Sequence, residues 1–172
     1  VYKRQIGGSV TEIVFELGIG NQVVAVDQSS ISPEKVTKLP QVGYIRMISS
    51  EGILSLNPDI ILTTTDIGPQ KVVDQLKKSG VDLYIYDSAY NLDGIIALVE
   101  NISNDLDLKS KGVEIIQNIE KNNQKVEKIK NNLTQNSKMV FFMNPSIGSF
   151  TAAGEDTKAN YLIQYLGGEN IF

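Results

Sequence analysis

Short apolar runs alternate with amphipathic segments along the first hundred residues. The apolar runs predict buried strands over residues 23–27, 59–64 and 82–86. The amphipathic segments repeat apolar side chains at helical spacing and predict helices over residues 9–17, 69–79 and 91–102. Strands that alternate with helices usually pair in parallel, so the pattern predicts an α/β fold with a mostly parallel sheet.

Cap and turn residues set the predicted ends of the first helix. We expect Ser9 to cap it, with Glu12 three residues on to complete a capping box and Gly18 at its end. An apolar strand usually precedes such a helix, but residues 1–5, VYKRQ, are largely polar. We therefore expect the true first strand to be partly missing or replaced.

A polar stretch from Lys109 to Asn136 is rich in Lys, Asn, Glu and Gln and predicts one long helix. It has a single narrow apolar stripe, made of Ile116, Ile119, Val126, Ile129 and Leu133. A helix of about 28 residues spans roughly 40 Å, which suits a strut between two lobes. A coiled-coil arm is the alternative, although the stretch is short and Asn123 interrupts the stripe.

The last part of the chain predicts the beginning of a second α/β lobe. A strand over 138–143 is followed by a loop of small residues and by a helix that Asp156 caps. One strand and one helix cannot bury both faces of a sheet, so we expect this lobe to be incomplete in the chain. The predicted domains are an N-terminal lobe (1–104), a connecting backbone helix (105–136) and the start of a C-terminal lobe (137–172).

Composition narrows the possible chemistry. The chain has no Cys and no His, which removes thiolate and imidazole metal sites and the usual Ser-His-Asp and Cys-His catalysis. A net charge of −4 and scattered lysines give no reason to expect nucleic acid. No apolar run approaches the roughly 20 residues that span a bilayer, and no signal peptide opens the chain. Secretion stays open, because a mature protein would look the same.

Two weak features leave room for a small phosphate-handling enzyme. Gly7, Gly8 and Ser9 could present backbone N–H groups to an anion, although the full spacing of a nucleotide-binding loop is missing and a tight turn is the simpler interpretation. Three acidic residues near strand ends could hold a hard metal ion or form a carboxylate pair, but Asp is also ordinary in such loops. They are Asp27, Asp66 and Asp87.

The stretch 40–58, PQVGYIRMISSEGILSLNP, carries the most specific chemistry. Pro40 and Gly43 predict a loop around Tyr44, and Ser49 or Ser50 can cap a short helix with Glu51 in its first turn. A tyrosine phenolate is a hard oxygen ligand for ferric iron, and a cation such as Arg46 favours the charged form. On spacing alone, a surface tyrosine is the more common interpretation.

Four segments carry a resemblance to a known family. They are GGSVTEIVFELG, VVAVD, PQVGYIRMISSEGILSLNPDIIL and FTAAGEDTKANYLIQYLGGENIF. Together they resemble the periplasmic haem-binding proteins of bacterial ABC importers, which form one class with the vitamin B12 and siderophore binders. The resemblance covers nearly all of the chain after Gln5.

The resemblance implies a fold and a set of site residues. Two Rossmann-like lobes joined by one long backbone helix would hold haem between them, with Tyr44 as the axial ligand to haem iron. Arg46 would support the phenolate or a haem propionate, and Glu51 would meet an arginine of the permease. Some members add a histidine ligand, which this chain lacks, so the loop from Asn144 to Ala153 would face the haem without an imidazole.

These observations predict a monomeric, non-enzymatic binding protein of the periplasm or another extracytoplasmic space. It would capture haem, deliver it to the permease of an ABC transporter, and bind no nucleic acid. The alternatives are the same class of protein with cobalamin or a ferric siderophore as cargo and, more remotely, the small phosphate-handling enzyme.

Overall fold

The computed structural model describes residues 3–130, 137–146 and 149–172. Its strands are β1 (Lys3–Ile6), β2 (Val23–Ala25), β3 (Ile60–Thr64), β4 (Asp82–Tyr86), β5 (Lys138–Met139), β6 (Phe142–Ser146), β7 (Ser149–Ala152) and β8 (Glu169–Asn170). Its α-helices are α1 (Gly8–Glu16), α2 (Ser50–Leu54), α3 (Gln70–Lys78), α4 (Leu92–Asp105), α5 (Lys109–Lys130) and α6 (Lys158–Tyr165). Short 3-10 helices lie at Gly20–Gln22, Glu34–Lys38 and Ile45–Met47.

Strands β1 to β4 form one parallel sheet in the order β2-β1-β3-β4. This arrangement confirms the predicted α/β class with a parallel sheet. The strands predicted over 23–27, 59–64 and 82–86 correspond to β2, β3 and β4. Because the strands are parallel, the loops that follow them meet at one edge of the sheet.

The polar beginning of the chain forms a central strand, β1, which its composition did not predict. Strand β1 pairs with β2 on one side and with β3 on the other, where Lys3 is opposite Ile60 and Ile6 is opposite Thr63. Ladder hydrogen bonds use backbone groups, which a polar sequence supplies as well as an apolar one. Sheet pairing on both sides therefore outweighs the low apolar content of this segment.

The core beside β3 is an aliphatic cluster that joins the sheet to the segment around Tyr44. Its buried members are Ile45, Ile48, Ile53, Ile61, Ile67, Val72, Val73 and Leu76. They come from the 3-10 helix after Tyr44, from α2, β3 and α3, and from the loops that hold Ile48 and Ile67. Tyr44 thus begins a turn that Ile45 and Ile48 anchor in the core.

Helix α1 ends as predicted but begins differently. It stops at Glu16, and Gly18 has the left-handed φ of 83° that favours glycine after a helix. Its N-cap is Gly7, without a side-chain cap bond, and Ser9 lies inside the first turn, so the capping box of Ser9 and Glu12 is wrong. The Gly7 N–H instead donates to Asp27 Oδ1 at 2.8 Å, a partner from the loop after β2 that local sequence does not show.

Helices α3, α4 and α5 begin close to where the sequence predicts them. Gly80, with φ of 82°, follows α3, and the Asn91 side chain accepts a hydrogen bond from the Gly94 N–H at 2.8 Å at the start of α4. Helix α5 begins at the predicted Lys109 and continues to Lys130, about 33 Å at 1.5 Å per residue. The predicted extension over 131–136 lies outside the described residues.

The C-terminal part contains more strand than the sequence predicts. The predicted strand 138–143 is divided between β5, which pairs in parallel with β8, and β6, which pairs antiparallel with β7. The predicted loop from Asn144 therefore contains the rest of β6 and all of β7 within the described residues. Helix α6 is capped by Thr157, whose hydroxyl accepts from the Asn160 N–H at 3.1 Å, and not by Asp156.

The chain divides into two compact units. One comprises Val1–Ser88 with Ile96–Ile116, and the other comprises Ala89–Ile95 with Gln117–Phe172. The predicted boundaries at 104 and 136, and two lobes joined by a single backbone helix, stay predictions. Within the described ranges, we find no helix that is both long and apolar enough to cross a membrane.

Candidate functional site

Tyr44 lies in a loop that backbone hydrogen bonds attach to the sheet edge after β2. Val26 forms an isolated parallel bridge with Gln41, and the Gln28 N–H donates to the Gly43 carbonyl at 2.9 Å. Gly43 has a φ of 104°, a conformation that glycine adopts without strain. Tyr44 comes next, with 47% of its surface exposed, so its side chain is accessible to a ligand while the backbone is fixed.

A second attachment holds the turn after Tyr44 against the loop that follows β3. The Gly68 N–H donates to the Ile45 carbonyl at 2.9 Å, and the Ile48 N–H donates to the Gly68 carbonyl at 3.1 Å. A Cβ added at Gly68 would lie 3.1 Å from the Arg46 carbonyl oxygen. Glycine at this position therefore permits the close approach of the two backbones.

Arg46 forms an ion pair with Asp66, the second residue after β3. One guanidinium nitrogen lies 3.3 Å from Asp66 Oδ1, and the side chains are 66% and 29% exposed, respectively. The other oxygen of Asp66 accepts a hydrogen bond from the Ser88 hydroxyl at 2.6 Å. The predicted site residue Arg46 is thus held by a carboxylate that belongs to the sheet edge.

Glu51 lies on α2, a separate short helix that follows the Tyr44 turn. The Ser49 side chain caps this helix by accepting from the Gly52 N–H at 3.3 Å, which agrees with the predicted cap and leaves Glu51 in the first turn. Glu51 is exposed. Its position suits both a carboxylate near the positive end of a helix and a contact with another protein.

Apolar side chains are also exposed near Tyr44. Met47, the last residue of the same turn, is 81% exposed. Ile31 is also exposed, and it lies on the loop whose Gln28 bonds to Gly43. Both side chains are therefore accessible to a ligand that contacts these loops.

The glycine pair at the start of α1 does not form the anion site considered for the enzyme alternative. Asp27 is fully buried, and its Oδ1 accepts from the Gly7 N–H and from the Ser30 hydroxyl at 2.7 Å. Its Oδ2 accepts from the Ser29 N–H at 3.0 Å and from the Ser29 hydroxyl. The protein's own carboxylate thus occupies the Gly7 N–H that a phosphate would need.

The other acidic residues do not gather into a metal site in the described part of the chain. Asp66 is bonded to Arg46 and Ser88, and Asp87 is exposed. Groups of three or more acidic side chains that could hold an ion do not occur among the described residues. The metal site considered for Asp27, Asp66 and Asp87 is therefore not supported.

Sequence reasoning missed the connection between Arg46 and the strand ends. The sequence offers Asp66 as a metal ligand, as one of a carboxylate pair or as an ordinary loop residue, but not as a partner of Arg46, and it does not single out Ser88. The available signal was an acidic residue directly after a strand together with a cation on a neighbouring loop. Pairing Asp66 with Arg46 requires knowledge of the Gly68 hydrogen bonds that join the two loops, and pairing it with Ser88 requires knowledge that β3 lies beside β4.

The profile of the periplasmic binding protein family matches residues 5–172. The chain belongs to this family, whose members are substrate-binding transport proteins. The predicted family resemblance is thereby confirmed.

Similar proteins differ in the ligand that their names give. A vitamin B12-binding protein of Yersinia pestis is 30% identical over 95% of this chain and 57% of its own length. The periplasmic heme-binding protein RhuT of Roseiflexus sp. RS-1 has a TM-score of 0.92 at 29% identity, covering 98% of this chain and 65% of its own. The heme-binding protein BhuT, solved with two hemes, has a TM-score of 0.93 at 27% identity over 99% of this chain and 67% of its own.

The chain spans somewhat more than half the length of the curated relatives that it matches, 57% for the Yersinia protein. The likeness therefore establishes the family and the fold of the matched part.

Proposed function

We propose that the protein is an extracytoplasmic substrate-binding protein that captures haem and delivers it to the permease of an ABC transporter. The observation that carries this proposal is Tyr44, a half-exposed tyrosine on a loop attached to two strand ends. A ligand to haem iron needs an accessible donor atom on a backbone that does not move away. The Tyr44 loop supplies both.

The chemistry of the Tyr44 surroundings suits ferric haem. A phenolate is a hard oxygen ligand, and tyrosine is among the axial ligands of haem proteins. Arg46, two residues on, has a guanidinium with several N–H donors and a largely exposed side chain. It can donate to a propionate or support the phenolate charge.

The apolar surface near Tyr44 supports a flat hydrophobic ligand. Met47 and Ile31 expose large apolar side chains on the same turn and on the adjoining loop. Ligand sites of this kind combine apolar contact area with a few polar groups that fix orientation. A porphyrin, with apolar faces and two carboxylates, matches this combination.

Cobalamin is the second candidate, because the 30% identical relative is named a vitamin B12-binding protein. Cobalamin does not require a tyrosine as metal ligand. The Tyr44 hydroxyl therefore separates the two cargoes: haem binding by this route depends on it, and cobalamin binding does not. A ferric siderophore, whose iron is already coordinated, behaves like cobalamin in this respect.

An absorbance titration with ferric haem tests the proposal. We expect a saturable shift of the Soret band and a high-spin charge-transfer band, both lost in Tyr44→Phe. Tyr90→Phe is the matched control, because Tyr90 is also an exposed tyrosine. A folded protein with no saturable haem spectrum, or a Tyr44→Phe variant that binds its cargo normally, overturns the haem proposal and favours cobalamin or a siderophore.

For Glu51 we propose a role in docking to the permease. The residue is exposed on a capped helix, so a charge reversal there should leave ligand binding unchanged. We expect Glu51→Lys to reduce haem uptake by cells while haem affinity stays at the wild-type value. Glu12→Lys, at an exposed position on α1, is the control, and equal uptake by both variants contradicts the docking role.

A further inference from the structure

Asp66 connects the arginine beside Tyr44 to the edge of the parallel sheet. Its Oδ1 lies 3.3 Å from a guanidinium nitrogen of Arg46. The two residues are 20 positions apart in sequence, and the Gly68 hydrogen bonds to Ile45 and Ile48 bring their loops together. The ion pair is therefore part of the same attachment that fixes the backbone after Tyr44.

The Asp66 carboxylate is itself held in place by Ser88. The Ser88 hydroxyl donates to Asp66 Oδ2 at 2.6 Å, and the Ser88 N–H donates to the Thr65 hydroxyl at 3.3 Å. The Thr65 N–H donates to the Tyr86 carbonyl at 2.8 Å, which continues the pairing of β3 with β4. The ends of two adjacent strands thus determine where the carboxylate lies.

Arg46 retains donors for a ligand after it pairs with Asp66. A guanidinium has five N–H groups in a planar fork, and the contact with Asp66 is made through one terminal nitrogen. The side chain is 66% exposed. A free arginine side chain loses rotamer entropy when a ligand immobilises it, and an internal partner that already restricts it reduces this loss.

We propose that Asp66, supported by Ser88, is a positioning residue that holds Arg46 to receive a carboxylate of the bound ligand. The inference rests on the proposed function, in which Tyr44 binds haem. It also specifies the ligand class. An arginine held to bind a carboxylate favours a porphyrin with free propionates over a neutral porphyrin, or over a corrin whose side chains are amides.

The test compares affinities for ferric haem and for ferric haem dimethyl ester, in one detergent-containing buffer. We expect Asp66→Asn to bind haem about three- to tenfold more weakly than wild type, the range for losing one pre-ordered side chain. Ser88→Ala should weaken binding less. Asp87→Asn removes the same charge from the same sheet edge and should bind as wild type does.

Two readouts separate positioning from a general structural effect. The loss caused by Asp66→Asn should be absent when Arg46 is already Ala, because the carboxylate then has nothing to position. Wild type, Asp66→Asn and Ser88→Ala should bind the dimethyl ester with equal affinity. A loss that persists in the Arg46→Ala background, or an equal loss for the dimethyl ester, overturns the inference.

The remaining outcomes distinguish this inference from the proposed function. A wild-type protein that binds neither porphyrin overturns both. Haem binding that depends on Tyr44 and is weakened by Arg46→Ala but unchanged by Asp66→Asn overturns the inference alone. Guanidinium NMR of the ligand-free protein gives an independent check, because side-chain rotation of Arg46 should be faster in Asp66→Asn than in wild type.

Discussion

Asp27 and Asp66 both follow strands of the parallel sheet, yet they have different surroundings. Asp27 is fully buried and accepts two hydrogen bonds at each oxygen, all from its own loop and from Gly7. Asp66 is 29% exposed. One of its oxygens pairs with the exposed Arg46, and the other accepts a hydrogen bond from Ser88. The first carboxylate organises the fold, whereas the second organises an accessible side chain.

The comparison teaches that burial and the mobility of the partners decide what a strand-end carboxylate does. Asp27 satisfies donors that would otherwise be unpaired inside the protein, and an unpaired buried donor is costly. Asp66 contributes little to stability, because exposed ion pairs are worth between about 0 and 1 kcal/mol. Its effect is on where Arg46 lies.

The largest expected effect is that of Asp27→Asn. The substitution keeps the shape but replaces an acceptor with an NH2 donor facing other donors, so we expect the free energy of unfolding to fall by about 3 kcal/mol. The matched Asp66→Asn variant should lose less than about 1 kcal/mol. Urea unfolding of both variants checks the contrast, and equal losses would break it.

A smaller effect is expected at Gly68, where the two loops of the site approach each other. Gly68→Ala places a methyl group 3.1 Å from the Arg46 carbonyl oxygen, so the Tyr44 turn must move by a few tenths of an ångström. We expect a loss of about 1 to 2 kcal/mol in unfolding free energy and weaker haem binding.

Gly154→Ala is the control for this substitution, because a Cβ at Gly154 meets nothing within 4 Å. The glycine contact has no role in the site if the two variants show the same stability and the same haem affinity.

A further effect, smaller than those at Asp27 and Gly68, concerns a third pair, in which the Tyr86 hydroxyl donates to Asp105 Oδ2 at 3.0 Å. Tyr86→Phe should cost about 1 kcal/mol, between the values for Asp66 and Asp27. Burial, and then the Asp105 carboxylate, raise the pKa of Tyr86 well above its ordinary value.

This raised pKa gives the Tyr86 pair a distinct pH dependence. The folded state keeps the phenol proton more tightly than the unfolded state, so the contribution is complete below about pH 10 and decreases as the pH rises further. The difference in stability between wild type and Tyr86→Phe should therefore shrink above pH 10. A difference that stays constant or grows above pH 10 refutes the assignment.

Most of the N-terminal elements could be predicted from local pattern. Apolar periodicity predicts the positions of helices α1, α3 and α4 and of strands β2 to β4. Glycines that end helices add to this signal, and Gly18 and Gly80 have the left-handed conformation expected after a helix. The corrections fall where a distant partner replaces a local one. Ser9 does not cap α1, because Gly7 is the N-cap and is bonded to Asp27 from the loop after β2.

The candidate site could be predicted only in part. The sequence indicates Tyr44 on a loop and Glu51 on a capped short helix, because glycine, proline and serine signals are local. It does not indicate that Arg46 meets Asp66, or that Ser88 holds Asp66, because these contacts join residues separated by 20 or more positions. The antiparallel pairing of β6 with β7 was missed for a related reason, because its signal is the pairing between two strands and not a pattern within one segment.

The sequence by itself determined the α/β class, the resemblance to haem-binding proteins and the candidate residue Tyr44, because each depends on residue types at short spacings. Only the tertiary structure decided that a polar segment is the central strand, that Asp27 is buried among donors of the fold and that Asp66 is paired with Arg46. The physical reason is that burial and hydrogen-bond partners are set by which strands lie side by side. Strand order is a property of the whole sheet, and no single segment contains it.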